Sequence, residues 1–179
     1  MTLATPSLDA VRESLSDDCK DIRLNLSSVL ASEHLQPAQA LGTALAAATF
    51  VRCPRLVRAL EADIRAGLGD TAGAVVSDAH AAAALMAMNT VYYRFRHMIG
   101  KPSYESRPAR LRMGRMAQPA TTKLDFELMS LGCAALAGCE ICLRTHEASL
   151  LHLGAGEEAC HDAVRIAAVV NAAACGLGG

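Results

Sequence analysis

The sequence predicts an all-α protein made of two related helical halves. Three observations carry this reading. No segment shows the period-2 alternation of apolar and polar residues that marks a half-buried strand. Hydrophobic residues make up 52% of the chain, many of them alanine, while aromatics make up 3% and tryptophan is absent. A core of Ala, Leu, Val and Met suits closely packed helices. Helix-start residues and glycine stops also alternate along the chain. At 179 residues the chain is long enough for one domain with its own core, and residues 1–179 read as one.

The elements follow in order. Thr5-Pro6 starts a helix with proline at its first position, and this helix runs to about Leu15. Lys20 to Leu30 is amphipathic and helical in pieces, with Asn25 or Ser27 as an internal cap. Pro37 to Thr49 is an alanine-rich helix. Cys53-Pro54 opens another, ending at Gly67 or Gly69. Ser77 or Asp78 caps a long helix from Ala79 to about Met98, closed by Gly100. Lys101 to Pro119, with three prolines and five basic residues, reads as a solvated connecting arm with a short turn of helix. Thr122-x-x-Asp125 is a capping box for a helix reaching about Leu136. A further helix begins near Cys139 and stops at Gly154. Glu157-Glu158 then opens the last one, which runs to about Cys175 before Gly176-Leu177-Gly178-Gly179.

The halves span about 35–100 and about 119–179. At a shift of 85 residues Leu68-Gly69 matches Leu153-Gly154. At that shift Pro54 stands where Cys139 does, Val57 where Cys142 does and Glu61 where His146 does, so the first half is a scaffold without the chemistry.

Composition excludes several classes of function. The formal net charge is -1, so no basic field argues for nucleic acid. Met1-Thr2-Leu3-Ala4-Thr5-Pro6 has no charged start before an apolar run, and no span of about 20 apolar residues suggests a membrane helix. The expectation is a cytoplasmic protein without a membrane. Its seven cysteines then sit in a reducing compartment, where a structural disulfide framework is not expected. Cys19, Cys53, Cys133, Cys160 and Cys175 read as small buried hydrophobes.

The chemistry concentrates at Gly138-Cys139-Glu140-Ile141-Cys142-Leu143-Arg144-Thr145-His146. On a helix starting near Cys139, the two cysteines and His146 stand at i, i+3 and i+7, on one face. Cysteines one turn apart can approach closely enough to pair. The helix N-terminus favours a thiolate at Cys139, whereas His146, one turn beyond Cys142, can take or hold that thiol's proton. Glu127 lies twelve residues before Cys139, about 18 Å away on a straight helix. A turn at Gly138 would fold it back towards His146 and supply a base–orienter pair. Glu127, Cys139, Cys142 and His146 thus read as one dithiol redox site. His80, His97, His152 and His161 read as structural or surface residues, and Met86, Met88 and Met98 as packing. Asn89, Tyr92, Tyr93 and Arg94 form a polar patch that lines a cleft or an oligomer contact, or else is a satisfied interior.

Other readings stay open. The same residues suit an acid–base enzyme acting through Glu127 and His146, or a non-enzymatic redox sensor. A zinc-binding module is a third, although C-x2-C-x3-H on one helix is a poor tetrahedral set and no metal is expected. Thioredoxin-like chemistry uses C-x2-C on a strand–helix unit, for which no strands are found.

These residues resemble the alkyl hydroperoxidase D family of the carboxymuconolactone decarboxylase-like superfamily. The resemblance covers nearly the whole chain. It rests on Lys20-Asp21-Ile22-Arg23-Leu24-Asn25-Leu26-Ser27-Ser28, on Met86-Ala87-Met88-Asn89-Thr90-Val91-Tyr92-Tyr93-Arg94, on Phe126-Glu127-Leu128, and on Gly138-Cys139-x-x-Cys142-x-x-x-His146-Glu147. It implies a homo-oligomer, typically a trimer, with thiol peroxidase activity on alkyl hydroperoxides. It also implies regeneration of a partner peroxiredoxin of the alkyl hydroperoxidase C type. No cofactor is bound; electrons would come from dihydrolipoamide on a lipoylated acyltransferase, recharged by lipoamide dehydrogenase. The resemblance makes Cys142 the peroxidatic thiol that becomes a sulfenic acid. It makes Cys139 the proton donor and resolving thiol, which pairs with Cys142 in the redox disulfide and also meets protein partners. Glu127 and His146 form the proton relay. Some members carry histidine directly before the second cysteine; Ile141 stands there here.

Overall fold

The computed structural model describes residues 3–178, and Met1, Thr2 and Gly179, named above at the chain ends, lie outside them. Among the described residues there are ten α-helices, two single 3-10 turns and no strand. The order is α1 (Pro6–Glu13), α2 (Lys20–Ser28), α3 (Pro37–Phe50), α4 (Pro54–Gly67), α5 (Ala72–Ile99), α6 (Pro102–Glu105), α7 (Gly114–Ala117), α8 (Lys123–Leu136), α9 (Glu140–His152) and α10 (Glu157–Gly176).

Two helices stand at the centre because their middle stretches are apolar or small on every side, with Glu127 of α8 as the charged exception. In α3 every residue from Ala40 to Ala48 is buried, and in α8 every residue from Phe126 to Ala134. Such a helix has no solvent face and must be surrounded. α5, α8, α10 and α4 pack around α3, and α3, α10, α9 and α5 around α8. Small residues set the spacing. A Cβ on Gly42 would come within 2.5 Å of the Met129 side chain, and one on Gly132 within 3.3 Å of Thr43.

The N-terminal helix is tied down by a carboxylate from elsewhere. Asp63 of α4 is buried and accepts from the backbone N–H groups of Ser7 and Leu8 at 2.9 and 2.8 Å. It satisfies the donors that an isolated helix N-terminus leaves open.

Several expectations need correction. α2 runs unbroken, and Ser27 Oγ donates back to the Leu24 carbonyl at 2.7 Å instead of capping a second segment. α1 stops at Glu13, two residues short of Leu15. α5 begins at Ala72, ahead of Ser77 and Asp78. Asp78 caps nothing; its buried carboxylate accepts from Arg115 Nε at 2.7 Å, Ala120 N at 3.1 Å, and Thr121 N and Oγ1 at 2.6 and 2.7 Å. The arm therefore contains two helical turns, α6 and α7, and Arg115 is docked on α5 and not simply solvated. By length and composition alone, Gly69–Ile99 could cross a membrane, contrary to the reading that no such span exists. Within the fold its buried face meets α3 and α8.

The corresponding segments of the two halves match one residue off the expected shift. α3 and α8 are each 14 residues long. Each is opened by a residue whose backbone N–H donates to the side chain three positions on: Gln36 to Gln39 at 2.8 Å, Thr122 to Asp125 at 3.3 Å. Each ends in a left-handed residue, Arg52 at φ 58° and Gly138 at φ 61°, followed by an extended cysteine, Cys53 or Cys139. Cys53, not Pro54, thus takes the place of Cys139. Leu56 then falls opposite Cys142 and Leu60 opposite His146, both leucines fully buried. The 85-residue shift fails here because α4 is one residue longer than α9.

Candidate active site

The site is built where α9 folds back against α8. Thr122 caps α8, with its Oγ1 accepting from Asp125 N at 3.1 Å. Glu127 follows on that helix and is buried. The chain reverses at Ala137-Gly138-Cys139. Gly138 takes the left-handed conformation that side chains resist. Arg94 of α5 steadies this turn by donating from Nη1 to the Ala137 carbonyl at 2.6 Å. Cys139 is the N-cap of α9, and Cys142, His146 and Leu150 form that helix's buried face.

The turn at Gly138 does bring Glu127 to His146. His146 Nδ1 and Glu127 Oε2 lie 2.6 Å apart, both side chains buried. A carboxylate can only accept, so Nδ1 carries the hydrogen and Nε2 is left as the proton acceptor. The other carboxylate oxygen meets Lys123 Nζ at 2.9 Å. Burial pushes the Glu127 carboxyl up, but the hydrogen bonds and charges of His146 and Lys123 outweigh it and hold the pKa below the ordinary glutamate value.

Cys139 and Cys142 are joined in a disulfide, their Cα atoms 5.3 Å apart. Cys139 has no accessible surface and Cys142 keeps 6%. In this state a thiol approaching from solvent reaches Cys142 first.

Cys142 and His146 line a cavity of about 270 Å³ together with Asn89, Tyr93, Met113, Met116, Ile141 and Thr145. The wall is mostly apolar, and three separate parts of the chain build it. α5 supplies Asn89 and Tyr93, the arm supplies Met113 and Met116, and α9 the rest. The polar patch on α5 is thus partly a cleft wall, as one of its readings held.

Sequence reasoning missed the arm's methionines and Lys123. Lys123 Nζ also donates to the Met116 carbonyl at 2.6 Å and so ties the arm to the Glu127–His146 pair. The four-residue step from Lys123 to Glu127 was the available signal. Among the described residues no group of three or more His, Cys, Asp or Glu side chains is placed to hold a metal ion.

The remaining cysteines divide. Cys53, Cys133 and Cys160 are free and buried, as expected, whereas Cys19 is half-buried and Cys175 exposed. Burial pushes the Cys133 thiol far above its usual range, which keeps it inert. Burial, with Glu147 and Glu157 nearby, raises that of Cys160. His80, read as structural or surface, joins three helices. Its Nε2 lies 2.6 Å from Glu61 Oε1 and its Nδ1 3.3 Å from Thr49 Oγ1.

Residues 102–175 match the carboxymuconolactone decarboxylase family, a region that takes in the arm, α8, α9 and nearly all of α10. Closer similarity extends over nearly the whole chain. The alkyl hydroperoxide reductase AhpD of Anaeromyxobacter dehalogenans (strain 2CP-C) is 56% identical over 171 residues, covering 96% of this chain and 90% of that protein. The protein of the same name from Anaeromyxobacter sp. (strain Fw109-5) is 55% identical over 170 residues, 95% and 90% of the two chains. That of Rhodopseudomonas palustris (strain BisB18) is 44% identical over 168 residues, 94% and 91%. The chain belongs to the AhpD family.

Proposed function

We propose that this protein is an antioxidant thiol peroxidase that reduces alkyl hydroperoxides through a Cys139/Cys142 dithiol–disulfide cycle. The observation that carries the reading is a paired cysteine, Cys142, that lines an apolar cavity beside a histidine backed by a buried carboxylate. The names of the relatives support it. In the reduced enzyme His146 takes the Cys142 proton through Nε2, and Glu127 stabilises the imidazolium. The thiolate attacks the hydroperoxide O–O bond. Cys142 becomes a sulfenic acid, and the alkoxide leaves as an alcohol with the proton returned through His146. The Cys139 thiol then displaces water from the sulfenic acid, forming the disulfide. A dithiol reduces that disulfide through a mixed disulfide and is itself oxidised.

The electron donor in this reading is dihydrolipoamide on a lipoylated acyltransferase, recharged by lipoamide dehydrogenase. The enzyme also regenerates an alkyl hydroperoxidase C-type peroxiredoxin, in the cytoplasm, without a resident cofactor. It works as a homo-oligomer, a trimer. An exposed apolar row at the end of α5, Val91, Phe95 and Met98, supports assembly.

The test is peroxide consumption with dihydrolipoamide, on wild type beside Cys139→Ser and Cys142→Ser. Either substitution should abolish turnover, and a sulfenic acid should be trapped in Cys139→Ser alone. A wild type with both thiols free, no metal bound and no turnover would sink the reading in favour of acid–base chemistry at Glu127 and His146.

A further inference from the structure

Among the described residues two buried side-chain polar atoms lack a hydrogen-bond partner, Thr43 Oγ1 and Asn89 Oδ1. They differ in setting. Thr43 is fully buried, where α3 crosses α8 and where its methyl lies against Gly132. Asn89 is 5% exposed and forms part of the cavity wall shared with Cys142 and His146. Its amide Nδ2 donates to Met116 Sδ at 3.5 Å, a weak acceptor that holds the side chain against the arm. A buried amide oxygen without a donor is costly to keep in an otherwise apolar wall. An apolar residue would pack there without that cost. The arrangement fits a site in which an incoming molecule brings the missing donor.

We propose that Asn89 is the substrate-positioning residue for the hydroperoxide, its Oδ1 accepting the hydrogen bond of the ROO–H group while the alkyl part lies against Met113, Met116 and Ile141. This inference rests on the peroxidase reading and deepens it. The hydroperoxide group is the one polar end of the substrate. Its terminal O–H is a donor, and one acceptor fixes which end faces Cys142. The wall offers the alkyl end apolar and polarizable surface, so compact alkyl or aryl hydroperoxides are the class that the site takes. The proton on that oxygen stays with the substrate as it binds; Asn89 takes no part in bond making or breaking.

The experiment compares wild type with Asn89→Leu, which keeps the γ-branched outline at a larger volume and removes the acceptor. Three rates are read on reduced or oxidised protein. They are oxidation of Cys142 by cumene hydroperoxide, alkylation of Cys142 by iodoacetamide, and reduction of the disulfide by dihydrolipoamide. The expected result is a loss of about tenfold or more in the first, with the other two within about twofold of wild type, since neither needs that hydrogen bond. Cumyl alcohol, which carries the same O–H and apolar body but no O–O bond, should compete with cumene hydroperoxide in wild type and not in the variant. Should Asn89→Leu not accumulate as folded protein, Asn89→Ala removes the same acceptor and is read by the same ratios. An unchanged cumene hydroperoxide rate, or an equal loss in all three rates, overturns the proposal and leaves the peroxidase reading standing. A wild type inert to the hydroperoxide overturns both.

Discussion

Glu127 carries the most consequence of any single residue in this chain, because both of its carboxylate oxygens are engaged in a buried site. Replacement by glutamine keeps the shape and removes the charge that orients and stabilises His146. Turnover of Glu127→Gln should fall about 10²-fold, the low end of what general acid–base catalysis supplies, while the Cys139–Cys142 disulfide still forms with a strong oxidant. The same substitution should change acid stability. The folded pKa of Glu127 lies below the ordinary 4.5. Its contribution to stability is therefore fully present above the unfolded value and is lost as pH falls through the depressed folded one. Chemical denaturation from pH 7 down to the acid limb should show this slope in wild type and a shallower one in Glu127→Gln. Equal slopes would mean that the carboxylate is not held as described. Ile141 belongs to this scale as well. It places an apolar surface in the cavity wall where some family members have an imidazole, which leaves His146 as the histidine on that wall.

At the scale of elements, the arm between α5 and α8 is what closes the cavity, and it is held at few points. Asp78 accepts from Arg115, Ala120 and Thr121, and Lys123 reaches the Met116 carbonyl. The Asp78 carboxyl is fully buried. Burial raises its pKa, but the hydrogen bonds from Thr121, Ala120 and Arg115 together bring it below the usual aspartate value. Asp78→Ala strands the donors of Ala120 and Thr121 and should cost about 1–3 kcal/mol, read as a lower midpoint in urea. It should also release the arm. Trypsin should cut faster after Arg110 and Arg112, both exposed, and the peroxide rate should drop as Met113 and Met116 leave the wall. Unchanged cleavage would show that the arm is held by something other than Asp78. The same carboxylate explains why the start of α5 was misplaced. Ser or Asp before an apolar run is ordinary helix-start chemistry, but the side chain of Asp78 is spent on residues some forty positions away.

At the scale of the whole molecule, four of the exposed large apolar residues gather at the end of α5, while Leu24, Leu151 and Leu153 stand exposed elsewhere. Val91 is 62% exposed, Met98 76%, and Phe95 and Ile99 just over 40%. Positions 91, 95 and 98 fall on one stripe of α5, in the i, i+4, i+7 spacing that seats a helix against a partner. The isolated chain, 18.7 kDa, should therefore sediment as an oligomer. Val91→Glu with Met98→Glu should shift it towards the monomer, with the helical circular dichroism unchanged. A monomeric wild type would remove the assembly from the proposed function without touching the chemistry of Cys142. The fully buried faces of α3 and α8 lie far down the burial scale from this stripe, so the fold itself does not depend on the contact.

The features that can be read along the chain are local. The all-α class, the helices opened by Pro6, Pro37 and Pro54, the capping box at Thr122 and the C-x2-C-x3-H face each depend on residues within a turn or two of one another. Hydrogen bonding and side-chain direction act over that range in any helix. Even the approach of Glu127 to His146 was legible, because one glycine at a short turn leaves two adjacent helices little choice but to fold together. What faces Cys142 is settled by long-range packing instead. Asn89, Tyr93, Met113 and Met116 come from segments with no periodic or spacing relation to the cysteines. Whether they reach the site depends on how α5 crosses α8 and where the arm docks. Those outcomes are set by the fit of small residues such as Gly42 and Gly132, and by long-range bonds such as Arg115 to Asp78, which no pattern along the chain encodes.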